Sequence, residues 1–238
     1  MLRWAIEGFL KVTASAPASA YDSWYETHLG AAAHAVELAL VAELADPQPG
    51  EQALDVGCGT GIYAAWLLGR GLAVTGVDRD AMMLAAAEEK ASSARLVQAD
   101  AAALPFEPGA FDLALAVTLF SFLNQEQRAR AAAELVRVVR PGGRIVIADL
   151  ARFSLWAAQR RLKGWRGSST WRRARFLTAA ELRRLFVGAG ASSVTTRYGL
   201  YLPPWQAPVL LQRAETIERL GRPLGPLGAA FVAARAER

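Results

Sequence analysis

Residues 52–61 read QALDVGCGTG, a short apolar run that ends in three glycines at alternate positions. A run of this length followed by a glycine-rich turn is typical of a buried strand that passes directly into a helix. The next ten residues, IYAAWLLGRG, suit a helix that ends at Gly71. Because glycine lets the backbone turn tightly and lets a ligand approach bare main chain, this stretch predicts a strand, a ligand-binding turn and a helix.

The same alternation continues towards the C-terminus. The predicted strands are almost entirely apolar, as expected when helices cover both faces of a parallel sheet. The pattern therefore predicts an α/β fold with a doubly wound, mostly parallel, seven-stranded Rossmann-like sheet and helices on both faces. After residues 52–56, strands are predicted at 72–78, 95–100, 111–120, 144–150, 192–199 and 229–237, with helices at 79–91, 124–140 and 178–190. The second of these helices is expected to stop at Pro141-Gly142-Gly143.

The N-terminal part has a different character. Residues 30–45, GAAAHAVELALVAELA, place apolar side chains at helical spacing, and the sequence DPQPG at 46–50 stops that helix. We therefore expect residues 1–50 to form a helical lid segment and residues 51–238 to form the main domain, with a basic insert at 151–177. No linker separates the parts, so the whole chain is expected to be one domain.

Acidic residues recur where the predicted strands end. Asp55 ends the first strand, Asp78 the second and Asp100 the third, whereas Asp112 opens the fourth. Ligands of open α/β sheets bind beyond the carboxyl ends of the strands, so the first three should converge on one site. For any one of them, a helix cap or a turn is the alternative role.

The spacing of the glycines indicates which class of ligand the turn can bind. The turn is GxGxG and lacks the GxGxxG spacing of dinucleotide-binding folds, which disfavours an NAD-dependent dehydrogenase. Asp55, just before the turn, would repel a pyrophosphate and attract an ammonium group. A carboxylate at the position of Asp78 is suited to hold the two hydroxyls of a ribose.

Four stretches, LDVGCGTG, GVDRDAMM, QADAAALPFEPGAFDLALAV and RVVRPGGRIVIAD, occur in this order across residues 50–150. Together they resemble the class I S-adenosylmethionine-dependent methyltransferases, in particular the methyltransferase type 11 group. The resemblance implies S-adenosyl-L-methionine as the cofactor, a last antiparallel strand, and an N-terminal segment that folds over the cofactor. The cofactor-binding residues that it implies are Tyr21, Asp55, Gly57, Cys58, Gly59, Gly61, Asp78, Arg79, Met83, Asp100, Ala101 and Thr118.

Methyl transfer from a sulfonium leaves a neutral thioether, so the protein needs mainly to align the reactants and exclude water. A general base is needed only when the acceptor is protonated at the working pH. The sequence assigns no catalytic residue, and the candidates are His28, Tyr25 and Thr118. For His28 a surface or capping role is the alternative. No metal site is expected, because the two histidines do not have the i, i+4 spacing of a helical metal pair.

The basic insert has the most distinctive composition. Residues 151–175 carry eight basic side chains and no acid, while the rest of the chain has 19 basic and 22 acidic groups. Four interpretations stay open: a lid that receives an anionic or aromatic small molecule, a peripheral contact with an acidic membrane, a contact with RNA phosphates, or a solvated helix whose tryptophans cover the core. No RNA-binding motif accompanies the insert, which disfavours nucleic acid as a partner.

These observations predict a cytoplasmic methyltransferase that acts on a small-molecule or lipid-like acceptor. The alternatives are a protein that binds S-adenosylmethionine without turnover and a methyltransferase that acts on RNA. A single cysteine, Cys58, fits a reducing compartment, and Glu7 and Lys11 interrupt the apolar run that a signal peptide would need.

Overall fold

The computed structural model describes residues 18–238, so the expectation drawn from Glu7 and Lys11 lies outside the described residues. Within these residues two helices precede the sheet, α1 (Ala18–Glu26) and α2 (His28–Ala45). Thr27 caps α2, since its hydroxyl accepts a hydrogen bond from the backbone N–H of Gly30 at 2.9 Å. Gly30 is required here because a β-carbon would lie 1.8 Å from the carbonyl oxygen of Trp24.

The sheet has seven strands in the order β3-β2-β1-β4-β5-β7-β6. The first five strands pair in parallel, and β7 pairs antiparallel with both β5 and β6. This confirms the predicted doubly wound, mostly parallel sheet and its antiparallel last strand. The strands are β1 (Gln52–Val56), β2 (Ala73–Asp78), β3 (Arg95–Gln98), β4 (Phe111–Val117), β5 (Val139–Leu150), β6 (Ser193–Gly199) and β7 (Phe231–Glu237).

Helices cover both faces of this sheet, and the buried side chains form one large cluster on each face. After α2 the helices are α3 (Ile62–Leu68), α4 (Ala81–Lys90), α5 (Gln125–Val138), α6 (Leu155–Trp165), α7 (Ser169–Arg173), α8 (Ala179–Gly188), α9 (Pro208–Gln212) and α10 (Ala214–Gly221). Short 3₁₀ turns occur at Phe120–Phe122 and Arg222–Leu224.

Some predicted boundaries were wrong. The helix α5 ends at Val138, and Pro141, Gly142 and Gly143 lie inside β5, where they were expected to stop a helix. Pairing explains the difference: Val139 already pairs with Phe111 of β4, and the N–H of Gly142 donates to the carbonyl of Arg238. The strand β3 also ends two residues before Asp100.

Within residues 18–238, α2 is the one helix long and apolar enough to cross a membrane by length and composition alone. It lies against the sheet instead, where it contacts β5, β6 and β7. Leu29, Ala33, Val41 and Leu44 are buried along it. One face of α2 is therefore packed against the sheet, while the other face is exposed or half-buried.

The basic insert folds as α6, α7 and a return segment that rejoins the sheet edge at Leu177. Its anchor is Trp156, which is buried and donates its indole N–H to the carbonyl of Leu202 at 2.7 Å. Glu218 in turn accepts hydrogen bonds from the backbone N–H groups of Leu200, Tyr201 and Leu202. The insert and the segment after β6 are therefore packed as one layer beyond the carboxyl ends of the strands.

Candidate active site at the carboxyl edge of the sheet

The turn after β1 is held in an open, left-handed shape. Gly57, Gly59 and Gly61 all have positive φ angles, of 72°, 53° and 83°. The backbone N–H groups of Gly57 and Cys58 donate to the carbonyl of Val77 at 2.7 and 2.9 Å, which fixes the turn against β2. A β-carbon at Gly59 would meet nothing within 4 Å, so this part of the turn has open space beside it.

Asp78 ties the turn to the end of β2. One carboxylate oxygen accepts from the backbone N–H of Gly59 at 3.0 Å, and the other accepts from the N–H of Asp80 at 2.9 Å. Each carboxylate oxygen has a second lone pair, so Asp78 keeps acceptor capacity for a ligand. It is partly exposed at the sheet edge, as a ribose-binding carboxylate must be.

Asp55 is the electrostatic centre of the site. It is 2% exposed, and its Oδ2 atom has no hydrogen-bond partner among the described residues. Burial, and then the negative charge of Asp78, raise the pKa of its carboxyl to about 7. Buried polar atoms are almost always paired, so an orphaned carboxylate oxygen beside a ligand-accessible turn fits a cationic group of a ligand. The ammonium of S-adenosylmethionine is such a group.

Aromatic side chains close the cavity next to Asp55. The hydroxyls of Tyr21 and Tyr25 lie 2.9 Å apart, and Tyr21 also forms a side-chain hydrogen bond with Thr118. Thr118 has a φ of 52°, a strained conformation for a β-branched residue. The lining residues are Tyr21, Tyr25, Asp55, Gly57, Cys58, Gly59, Thr60, Ile62, Tyr63, Val117 and Thr118.

The contacts of Asp22, called the latch below, hold the helix α1 over this cavity. Asp22 accepts a hydrogen bond from the hydroxyl of Thr60 at 2.7 Å and forms an ion pair with Lys90 at 2.5 Å. Trp24 packs edge-on against Trp156 of the insert, with ring centroids 5.9 Å apart. The cavity beneath has a volume of only about 20 Å³, so α1 covers it closely.

Four residues predicted to contact the adenosine lie along the same edge but do not line the cavity. Arg79 is exposed and Met83 is half-buried near the start of α4, while Ala101 is buried. Asp100 is exposed, and its carboxylate accepts from the N–H of Ala102 at 2.9 Å, as in a turn. Asp78 pairs with Gln98, so Asp100 lies just beyond it. Contacts of these four residues with a cofactor stay predictions.

The three candidate catalytic residues are separated by the fold. Tyr25 and Thr118 line the cavity, whereas His28 is exposed at the first residue of α2. Asp112 lies at the opposite end of the strands, where it accepts from the N–H of Gln52 and pairs with Arg140. It therefore supports the fold on the side away from the site.

A carboxylate that the motif search missed lies close to the cavity. Glu37 is partly exposed on α2, and its carboxylate has no hydrogen-bond partner within residues 18–238. It lies one turn after His34, whose ring packs edge-on against Tyr25 and Tyr63 at centroid distances of 5.0 and 5.7 Å. Burial raises the pKa of Glu37 to about 7, against the opposing charge of Arg160. The available signal was an acid near the middle of an apolar helix.

Arg160 of the insert is buried near Glu37. Its guanidinium carbon lies 5.1 Å from the ring centroids of both Trp156 and Trp171, and its Nε and Nη1 atoms have no partner in the described part of the chain. Burial lowers its pKa to about 10, and burial and Arg160 together lower the pKa of Lys163 to about 8. The insert is therefore not a uniformly solvated basic surface.

Comparisons with known proteins agree with this geometry. A family model described as a methyltransferase domain, Methyltransf_11, matches residues 54–147. An uncharacterized protein of Mycobacterium tuberculosis is 34% identical over 193 residues, which is 79% of this chain and 62% of that protein. A demethylmenaquinone methyltransferase of Beutenbergia cavernae is 37% identical over 105 residues, or 44% of this chain and 42% of that enzyme. The chain thus spans less than two thirds of the length of these curated relatives.

The fold has solved counterparts. The structure of an S-adenosylmethionine-dependent methyltransferase of Thermotoga maritima matches with a TM-score of 0.71 and 24% sequence identity. The match covers 92% of this chain and 95% of that one. At this identity the likeness shows the fold, including the region beyond residue 147 that contains the insert.

Proposed function

We propose that residues 54–147, which match a family model described as a methyltransferase domain, form a class I S-adenosylmethionine-dependent methyltransferase domain, and that the protein methylates a small-molecule acceptor. The family and the fold also imply S-adenosyl-L-methionine as the cofactor. The observation that carries the proposal is the buried, unpartnered Oδ2 of Asp55 beside three glycines with positive φ. This arrangement suits a cationic ligand that contacts bare main chain.

The residues of the cavity have distinct tasks in this proposal. Asp55 attracts the ammonium group, Asp78 accepts hydrogen bonds from the ribose, and the tyrosines of α1 exclude water once the helix closes. When bound, S-adenosylmethionine supplies an activated methyl group. The remaining task of the chain is to align the acceptor with that group, since a neutral thioether leaves without further help.

Glu37 is the group best placed to take a proton from the acceptor. Burial first, and then also the charge of Glu37, raise the pKa of Tyr21, Tyr25 and Tyr63 in the cavity wall, so Glu37 acts electrostatically on that wall. A base whose pKa is near the working pH gives efficient proton transfer. The charged and titratable groups around it are Tyr21 and Tyr25 of α1, His34 of α2, Tyr63 of α3, Asp149 of β5 and Arg160 of α6.

A small organic acceptor is supported by the named relatives, which include demethylmenaquinone methyltransferases. A lipid-like acceptor, a peripheral membrane contact through residues 151–175 and a cytoplasmic location belong to the same proposal. Exposed Leu155, Leu162 and Trp165, spaced along one face of α6 next to arginines, support the membrane contact.

Calorimetric titration with S-adenosylmethionine and, separately, with NAD tests the cofactor. We expect binding of the first ligand alone. A methyl-transfer assay with labelled cofactor and a panel of small organic acceptors then tests turnover, and labelled product is the expected result. Binding without product across the panel would favour the alternative of a cofactor-binding protein that does not methylate.

A further inference from the structure

A second cavity, far larger than the one beside Asp55, lies between α6 and α7. Its volume is about 580 Å³, within the range of small-molecule sites. It shares no lining residue with the cavity at the glycine turn. The lining residues are Arg152, Arg161, Gly164, Trp165, Trp171, Arg172, Ala174, Arg175 and Phe176.

The charge of this cavity is one-sided, since four arginines line it and no acid does. Arg152 is paired with Glu181 at 2.6 Å, and Arg161 donates only to the carbonyl of Arg152 at 3.2 Å. The side chains of Arg172 and Arg175 are exposed and have no acceptor in the part of the chain that the structure describes. Like charges that converge on one cavity repel each other, and a bound anion would offset that repulsion.

Aromatic rings form the rest of the walls. Trp165 is 84% exposed, which is unusual for the largest apolar side chain unless a ligand or partner covers it. Trp171 and Phe176 contribute two further rings, and the guanidinium carbon of Arg161 lies 5.1 Å from the ring centroid of Phe176. Rings interleaved with arginines suit a ligand that has both a flat or apolar body and a negative charge.

The walls of this cavity contact the buried interior of the insert and the turn after β4. Trp171 lines the cavity and also stacks with the buried Arg160, whose charge acts on Glu37 and Tyr25. The return segment is fixed to the turn after β4, because the N–H of Arg175 donates to the carbonyl of Ser121 at 2.8 Å. A molecule held here therefore lies beyond the carboxyl end of β4.

We propose that the cavity between α6 and α7 binds a small organic anion with an aromatic or apolar body. Arg172 and Arg175 hold the negative group, and Trp165 and Trp171 contact the body.

Two probes with the same ring system, one charged and one uncharged, test whether the cavity recognises negative charge or only shape. Naphthalene-2-carboxylate and its uncharged carboxamide have the same ring system, and their binding is measured by calorimetry. For the full chain we expect the carboxylate to bind at least tenfold more tightly than the carboxamide. The double variant Arg172→Gln/Arg175→Gln should remove that preference, and Arg184→Gln, an exposed arginine on α8, should keep it.

Three outcomes would overturn the proposal. Equal binding of the two probes, or full binding by the double variant, would show that the arginines do not form an anion site. Variant-sensitive binding to phosphatidylserine vesicles without binding of the carboxylate would assign the arginines to a lipid surface. S-adenosylmethionine is titrated in parallel: its failure to bind would contradict the methyltransferase function, while carboxylate binding would still establish the anion site.

Discussion

The glycine edge, formed by residues 52–61 and Asp78, and the basic insert at 151–177 both lie beyond the carboxyl ends of the strands, yet they are built differently. At the glycine edge, neighbours in sequence are neighbours in space, and the turn bonds directly to the next strand. In the insert, the charge of Arg160 acts on Glu37 of a distant helix, and the indole N–H of Trp156 donates to the carbonyl of Leu202. Short motifs therefore specify the glycine edge, whereas tertiary packing assembles the insert.

The largest expected effect concerns Glu37, which joins the two regions. A proton acceptor contributes about 10²–10⁴-fold to a rate, so Glu37→Gln should lower kcat by an amount in that range for an acceptor that must lose a proton. Because the pKa of Glu37 is about 7, the wild-type rate should fall as pH drops through 7, and the variant should lose this dependence. The measurement is the pH profile of kcat.

Glu43→Gln is the matched control for Glu37. Glu43 lies on the same helix, about half exposed, and pairs with Arg197 at 3.5 Å at the surface. It should keep both the rate and the profile. A normal rate and pH profile in Glu37→Gln would remove Glu37 from proton transfer.

The next effect tests whether the insert is part of the core. Trp156→Ala should lower the free energy of unfolding by about 3–5 kcal/mol, because a buried indole and its hydrogen bond to Leu202 are lost. Trp165→Ala, in the same helix but 84% exposed, should change it by no more than about 0.5 kcal/mol. Denaturant unfolding measures the free energy of unfolding of both variants. Similar losses in the two variants would contradict the conclusion that Trp156 is part of the core and Trp165 is not.

On the glycine edge, Asp78→Ala should weaken binding of S-adenosylmethionine about 10- to 150-fold. The carboxylate supplies charge-assisted hydrogen bonds, worth about 1.5–3 kcal/mol, and holds the N–H of Gly59. Asp112→Ala at the opposite edge also loses a paired carboxylate and should leave the affinity unchanged. Calorimetry that finds Asp78→Ala and wild type equal would remove Asp78 from the ribose site.

The smallest effect concerns the latch of α1. Asp22→Asn weakens the contacts with Thr60 and Lys90, so S-adenosylmethionine should dissociate about two- to tenfold faster. Glu26→Gln, an exposed residue on α1, should dissociate at the wild-type rate. Stopped-flow fluorescence measures this rate, and equal rates in all three proteins would mean that the latch does not control release.

The two regions also differ in how much of their structure can be predicted from the sequence. The order of strands and helices, and the positions of Asp55 and Asp78 at strand ends, follow from apolar runs and glycine turns, which are local signals. The burial of Arg160 has no local signal, since Arg161 and Lys163 close to it in sequence are also basic and only the two stacked tryptophans single it out. The position of Glu37 near the cavity likewise has no local signal, because it depends on which helix packs there. Pro141–Gly143 shows the reverse case, where strand pairing overrides a local stop signal.

The most direct test of the account is the affinity for S-adenosylmethionine between pH 5.5 and 7.5, compared with that of Asp55→Asn. Because the pKa of Asp55 is about 7, the carboxylate that attracts the ammonium is lost as pH falls. We predict that wild-type affinity falls by up to about tenfold per pH unit below 7. Asp55→Asn should bind about 10- to 150-fold more weakly at pH 7.5 and depend less on pH. Equal affinity and an equal pH profile in the two proteins would contradict the assignment of this cavity to the cofactor.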